Sequence, residues 1–160
     1  MKNIQADSQV LLIGIGNTSN GDEGLGWRFV QEVESSGYDY FDLQYRSRLR
    51  AEDAALISEY DIVIFVVGVN EKLGEGFDVR PGFAAGSAFF STPAQAPGAI
   101  LHLCNAWYEK FPKAYILAIS GEAWEPETRL SKMAQGNLQA AASYFTEQFL
   151  PVLPLPQTAC

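Results

Sequence analysis

The sequence predicts an α/β domain with a mostly parallel, twisted sheet covered by helices on both faces as a three-layer sandwich. Three observations carry this. Continuous apolar runs, Val10–Ile15 ending at Gly16, Ile62–Val67 after Asp61, and Ala114–Ile119, suit strands buried on both faces. Stretches of helical period lie between them, and strands alternating with helices in this order call for parallel crossovers. The length of 160 residues, 17.6 kDa, suits one sizeable core and is short for two.

Residues 10–16 read as the first strand, followed by a polar, glycine-bearing loop from Asn17 to Asp22. Leu25, Phe29 and Val33 then recur at fours and, with Val30, mark one face of a helix. Asp22 and Glu23 fall at its N-terminus, where carboxylates favour the helix dipole, and Gly37 is its stop. Phe41 to Tyr45 alternates as a strand, and Arg50 to Glu59 reads as a helix. The buried run 61–67 is the central strand, and a short strand is expected at Phe77 to Arg80. Residues 81–98, rich in Ala, Gly, Ser and Pro with Phe83, Phe89 and Phe90 inserted, read as a long loop of functional or mobile character. A helix over 99–110, a strand over 114–120 and a long amphipathic helix over 131–150 complete the domain. It occupies residues 1–150, and 151–160, with Pro151, Pro154 and Pro156, is a proline-rich tail.

Composition excludes several classes. Eleven Lys and Arg against nineteen Asp and Glu leave a net charge of -8, which opposes nucleic-acid backbones and anionic membranes. The single histidine, His102, rules out a His-rich zinc site from this chain alone. Two cysteines, Cys104 and Cys160, make neither a CxxC pair nor a disulfide framework, so a reducing, cytoplasmic setting is expected. No apolar run approaches the roughly 20 residues of a membrane span, and the first residues lack the pattern of a signal peptide.

Gly14-Ile15-Gly16 opens like a dinucleotide fingerprint but has Ser19 where the third glycine belongs, and no Gly-Lys-Ser/Thr of a P-loop occurs. A longer pattern does match. Gly14-Ile15-Gly16-Asn17, three spacers, then Gly21-Asp22-Glu23-Gly24-Leu25-Gly26 resembles the N-terminal signature of the nickel–iron hydrogenase maturation endopeptidases. Leu43-Gln44 and Glu52 resemble the second strand and following helix of one branch of that family. Gly121 to Pro126 and Leu130-Ser131 resemble its late segment, so the likeness runs through residues 8–150. It implies a phosphorylase/hydrolase-like α/β fold and C-terminal trimming of the nickel-loaded hydrogenase large subunit.

The resemblance also implies three side chains that meet the nickel carried by the substrate: a glutamate after the glycine loop, an aspartate ending the central strand and a histidine in the long later loop. Carboxylate and imidazole suit a borderline divalent metal. Glu23 matches the glutamate, the aspartate position falls on Val67 and the histidine position on Ala94. Asp61 stands at the other end of its strand, about 20 Å away at about 3.3 Å per residue. Asn70 and Glu71 serve only if their loop folds back. His102 falls two turns into a helix, as a packed or partly exposed residue, and Cys104 reads as a small buried hydrophobe.

Asn17, Asp22 and Trp124 are the expected loop or substrate contacts at the strand ends, where ligands bind in such sheets. Trp124 there is a peptide anchor or a cap on the sheet. Arg46, Arg48 and Arg50 form a basic cluster, either a solvated turn or a contact for an acidic partner segment. Two functions stay open: a working endopeptidase with rearranged metal contacts, and a non-catalytic relative that binds a hydrogenase subunit or assembly factor. They separate on whether a donor besides Glu23 faces the strand end at Val67.

Overall fold

The computed structural model describes residues 9–37, 40–85 and 96–153. Ala94, the Phe89 and Phe90 insertions, and Pro154 and Pro156 of the tail lie outside them. Five strands form one sheet: β1 (Val10–Ile15), β2 (Phe41–Arg46), β3 (Ile62–Val69), β4 (Phe77–Gly82) and β5 (Lys113–Ser120), in the order β2-β1-β3-β5-β4. All pairings are parallel except β4 on β5. β4 is thus an antiparallel strand at the sheet margin, where Pro81, lacking an N–H, is tolerated. The three apolar runs become β1, β3 and β5 in the middle of the sheet, as their two-sided burial demands.

Helices cover both faces. α1 (Leu25–Ser35) and α4 (Lys132–Tyr144) pack on the face carrying Val10, Leu12, Ile64 and Val66. α2 (Asp53–Ile57) and α3 (Ala96–Tyr108) pack on the face carrying Leu11, Ile13, Val63 and Phe65. Alternate residues of one strand face opposite layers, so a single buried run feeds both cores. α1 lies unusually close. A Cβ on Gly26 would stand 2.6 Å from the Ile15 carbonyl oxygen, and one on Gly14 would stand 2.6 Å from that of Gly26. Only paired glycines permit this approach of helix backbone to sheet.

β3 and β4 each run two residues past their expected ends, and the helices differ from expectation in three places. The helix expected over 50–59 is regular only at Asp53–Ile57, flanked by hydrogen-bonded turns. The Asp53 carboxylate fixes its start by accepting from the Arg50 N–H at 2.9 Å and the Arg46 guanidinium at 3.0 Å. α3 begins at Ala96, inside the expected loop, with Pro97 in its first turn, where a missing N–H is harmless. The last helix leaves α geometry at Tyr144 and continues as a π turn, Phe145–Phe149, and a 3-10 turn, Leu150–Val152. The Thr146 hydroxyl contacts the Ala142 and Ser143 carbonyls, each at 3.2 Å, a back-bonding that loosens the helix ladder. The widened turn stacks Phe145 on Phe149, centroids 5.6 Å apart, and sets Phe149 edge-on to Tyr115 at 5.0 Å. No described helix is long and apolar enough to cross a membrane.

Candidate functional site

The C-terminal ends of β1 and β3 lie side by side at the point where strand order reverses, Ile15 opposite Val67, and this is where an open α/β sheet forms its crevice. The loop leaving β1 folds back on itself. Gly16 adopts φ 149°, its N–H donates to the Arg46 carbonyl at 2.9 Å, and a Cβ there would collide with the Glu23 carbonyl. Asn17 donates its N–H to that same Glu23 carbonyl at 3.0 Å, while its side chain accepts from the Ser19 N–H at 2.9 Å. A 3-10 turn, Gly21–Gly24, then leads into α1. Glu23 is held half-exposed at this turn by the Asn20 side-chain amide, which donates to its carboxylate at 2.9 Å.

Asp22 makes a contact between loops, and a buried one. It is 0 % exposed. One carboxylate oxygen accepts from the Glu122 N–H at 2.8 Å, the Ala123 N–H at 2.9 Å and the Ser131 hydroxyl at 2.7 Å. The other accepts from the Ser131 N–H at 2.8 Å. Burial pushes this carboxyl's pKa upward, but the hydrogen bonds from Glu122, Ser131 and Ala123 outweigh it and hold the group below its ordinary 3.8. Asp22 is a latch between the glycine loop and the loop after β5, with no face left for a substrate. Backbone bonds reinforce it: Gly21 N–H to the Glu127 carbonyl and Asp22 N–H to that of Ala123, both 2.7 Å. Ser131 serves both sides, since its hydroxyl also caps α4 through the Ala134 N–H at 3.1 Å.

Val67 is 2 % exposed at the end of the central strand, between Ile15 and Ala118. The next residue, Gly68, faces the α1 layer, since a Cβ on it would meet the Asp22 carbonyl at 2.7 Å and Leu25 at 3.1 Å. Val67 therefore points to the α2 and α3 layer. The neighbouring donors are engaged elsewhere. Asn70 accepts from the Trp124 indole N–H at 3.1 Å, and Glu71 pairs with Arg80 at 3.2 Å, toward β4. The Ser120 hydroxyl pins the backbone that follows them, donating to the Glu71 carbonyl at 2.7 Å and accepting from the Leu73 N–H at 3.0 Å. Trp124 is half-buried, its ring against Gly121 at the same edge.

His102 stands apart from this edge. Its neighbour Leu101 approaches Gly82, which pairs with Ala114 near the start of β5, the opposite end of the sheet. Cys104 is buried, and burial pushes its thiol pKa up, as befits a small hydrophobe rather than a ligand. Of the basic cluster, Arg46 is spent on Asp53, Gln44 and the Tyr45 carbonyl, leaving Arg48 and Arg50 exposed. Among the described residues no group of three or more His, Cys, Asp or Glu side chains is placed to hold a metal ion. Sequence reasoning missed Asn20 and Asn70 as partners of Glu23 and Trp124, because both contacts follow from loop closure rather than spacing.

No family model and no curated protein matches the chain by sequence. Solved structures match it in fold. The hydrogenase maturating endopeptidase HybD from E. coli superposes with a TM-score of 0.68 at 19% identity, over 84% of this chain and 88% of that one. The hydrogenase 2 maturation peptidase from a Thaumarchaeota archaeon gives 0.63 at 20% identity, over 88% and 97%. The [NiFe] hydrogenase maturation protease HybD from Thermococcus kodakarensis gives 0.62 at 17% identity, over 87% and 97%. The chain therefore has the fold of these maturation proteases along nearly its whole length.

Proposed function

We propose that this chain is a cytoplasmic relative of the hydrogenase maturation endopeptidases that binds a hydrogenase large subunit, or an assembly factor bearing a similar segment, without cutting it. The observation that carries the reading is Val67, an apolar side chain buried where a second carboxylate is needed beside Glu23. Asn70, Glu71 and Asp22 are each committed to other partners, so none makes up the loss. One half-exposed carboxylate fits a substrate-borne nickel ion poorly, since useful affinity needs several oriented donors. The binding edge is nonetheless kept: Glu23 is presented by Asn20, the loops on either side are latched through Asp22, and Trp124 is fixed on Asn70 as an apolar anchor.

A working endopeptidase is the second reading, favoured by the intact glycine loop around Glu23. Co-expression with the nickel-loaded large-subunit precursor, followed by intact-mass measurement of that subunit, tests both. The proposal expects an uncut precursor that co-purifies with this chain. Loss of a defined C-terminal peptide, abolished by Glu23→Ala, overturns it in favour of the second reading.

The ligand positions make a separate prediction. Val67→Asp combined with Ala94→His is expected to create nickel affinity measurable by titration calorimetry, with neither single change giving it. Val67→Asp alone places a carboxylate in an apolar layer and is expected to lower stability by about 2–4 kcal/mol in chemical denaturation. A double variant that keeps its circular dichroism spectrum yet takes up no nickel counts against these assignments.

A further inference from the structure

At the opposite edge of the sheet, where β3 and β5 begin, an open cleft of about 510 Å³ lies between the ends of α2 and α3. Its walls are Tyr60, Tyr108 and Phe111, with Glu59, Asp61 and Lys110 around them. Two of these rings are exposed, Phe111 at 75 % and Tyr108 at 44 %, and Trp107, outside the cleft with its ring centroid 6.5 Å from that of Tyr108, is 57 % exposed. The walls are also fixed. The Tyr60 hydroxyl donates to the Asp42 carboxylate at 2.7 Å, and Asp61 accepts from the Gln9 N–H at 2.9 Å. The turn carrying Lys110 and Phe111 is held by Glu109 at φ 54°, a left-handed conformation that non-glycine residues avoid. The Asn105 amide, oriented so that its nitrogen donates, secures this turn through the Lys110 carbonyl at 2.8 Å. Glu109 follows α3, and the Glu109 N–H donates to the Asn105 carbonyl and the Lys110 N–H to the Cys104 carbonyl, each at 3.2 Å, so the turn closes the helix and holds Phe111 in place.

The chemistry of the cleft selects an occupant. Exposed aromatic faces suit pyrrolidine rings and the flat guanidinium of arginine. Asp42, Glu59, Asp61 and Glu109 outweigh Lys110 and Lys113, so the surround is acidic on a chain of net charge -8. That sign disfavours a second copy, since two-fold pairing would bring the same carboxylates together. We infer that this cleft is a second docking surface, which takes an extended proline-bearing segment with a basic residue from a partner protein. An extended polyproline segment loses little further freedom on binding, so a shallow groove holds it.

The test uses the full chain and a labelled synthetic peptide, Pro-Pro-Leu-Pro-Pro-Arg, read by fluorescence anisotropy. Saturable binding is expected, weakened at least about tenfold by Phe111→Ser and about threefold by Glu59→Lys, and lost when the peptide's arginine is replaced by glutamate. Phe111→Ser is mostly a surface change, and Glu59→Lys touches charge alone, so the two separate binding from folding. No saturable binding, or binding indifferent to both variants, overturns the inference. So does sedimentation showing a dimer that Phe111→Ser dissolves, which gives the cleft to a second copy. Peptide affinity that rises when residues 154–160 are removed gives it to the chain's own proline-rich end. No hydrogenase subunit enters the experiment, so its outcome is independent of the function proposed above.

Discussion

Gly26→Ala is expected to lower stability by at least about 3 kcal/mol, measured by chemical denaturation, and to loosen α1 from the sheet. The added methyl meets backbone, not flexible side chains: the Ile15 carbonyl oxygen at 2.6 Å, the Ile15 nitrogen at 2.9 Å, and the Val66 carbonyl oxygen closer still. Two central strands cannot both yield without breaking their ladder, so the helix must lift. Lifting α1 strips Leu25, Phe29, Val30 and Val33 from a core in which they are all but inaccessible. Since α1 also carries the turn bearing Glu23, any subunit binding at that edge is expected to fall with stability. A variant as stable as the native chain would mean that the close approach of α1 is dispensable.

Asp22→Ala is expected to cost about 2–4 kcal/mol, because three backbone N–H groups and one hydroxyl lose an acceptor that is itself buried. Asp22→Asn keeps the shape but turns an amide nitrogen toward donors, and is expected to recover little of the loss. The same latch makes stability pH-dependent. Its folded pKa lies below the ordinary value of 3.8, so the native chain holds the ionised form more firmly than the unfolded chain does. The stabilisation is fully present above that ordinary value and is withdrawn as pH falls through the folded value. The stability gap between the native chain and Asp22→Asn should therefore narrow below about pH 4 and stay constant near neutrality. A gap that persists unchanged into strong acid would show that the carboxylate's charge is not what the latch uses.

Much of the sheet was legible because its signal is local. Ile62 to Val67 can only be a strand buried on both faces, and Leu25, Phe29 and Val33 can only share one helix face. Strand order and the antiparallel sense of β4 were not legible, since no spacing within Phe77–Gly82 records which neighbour it pairs with. The π turn at Phe145–Phe149 escaped for a similar reason: α and π windings share nearly the same apolar pattern, and Tyr115, which rewards the wider one, lies thirty-four positions from Phe149. At the candidate site, the glycine pattern announced a loop before Glu23, and Val67 announced an apolar strand end; that the loop folds back on itself was not legible. The burial of Asp22 was not legible, because an acidic residue at a helix start reads as a dipole partner. Its donors, Glu122, Ala123 and Ser131, are at least 100 positions away in sequence.

That separation has a consequence for biogenesis. Synthesis runs from N- to C-terminus, so Asp22 and Glu23 leave the ribosome well before Ser131 does. Until β5 and the segment after it have emerged, the carboxylate beside Glu23 has no donors and its loop has nothing to lean on. A nascent chain halted before residue 131 contains β1 and β3 but lacks the Ser131 donors that close the latch. The latch is therefore set by completion of the fold and not by synthesis of Asp22 itself.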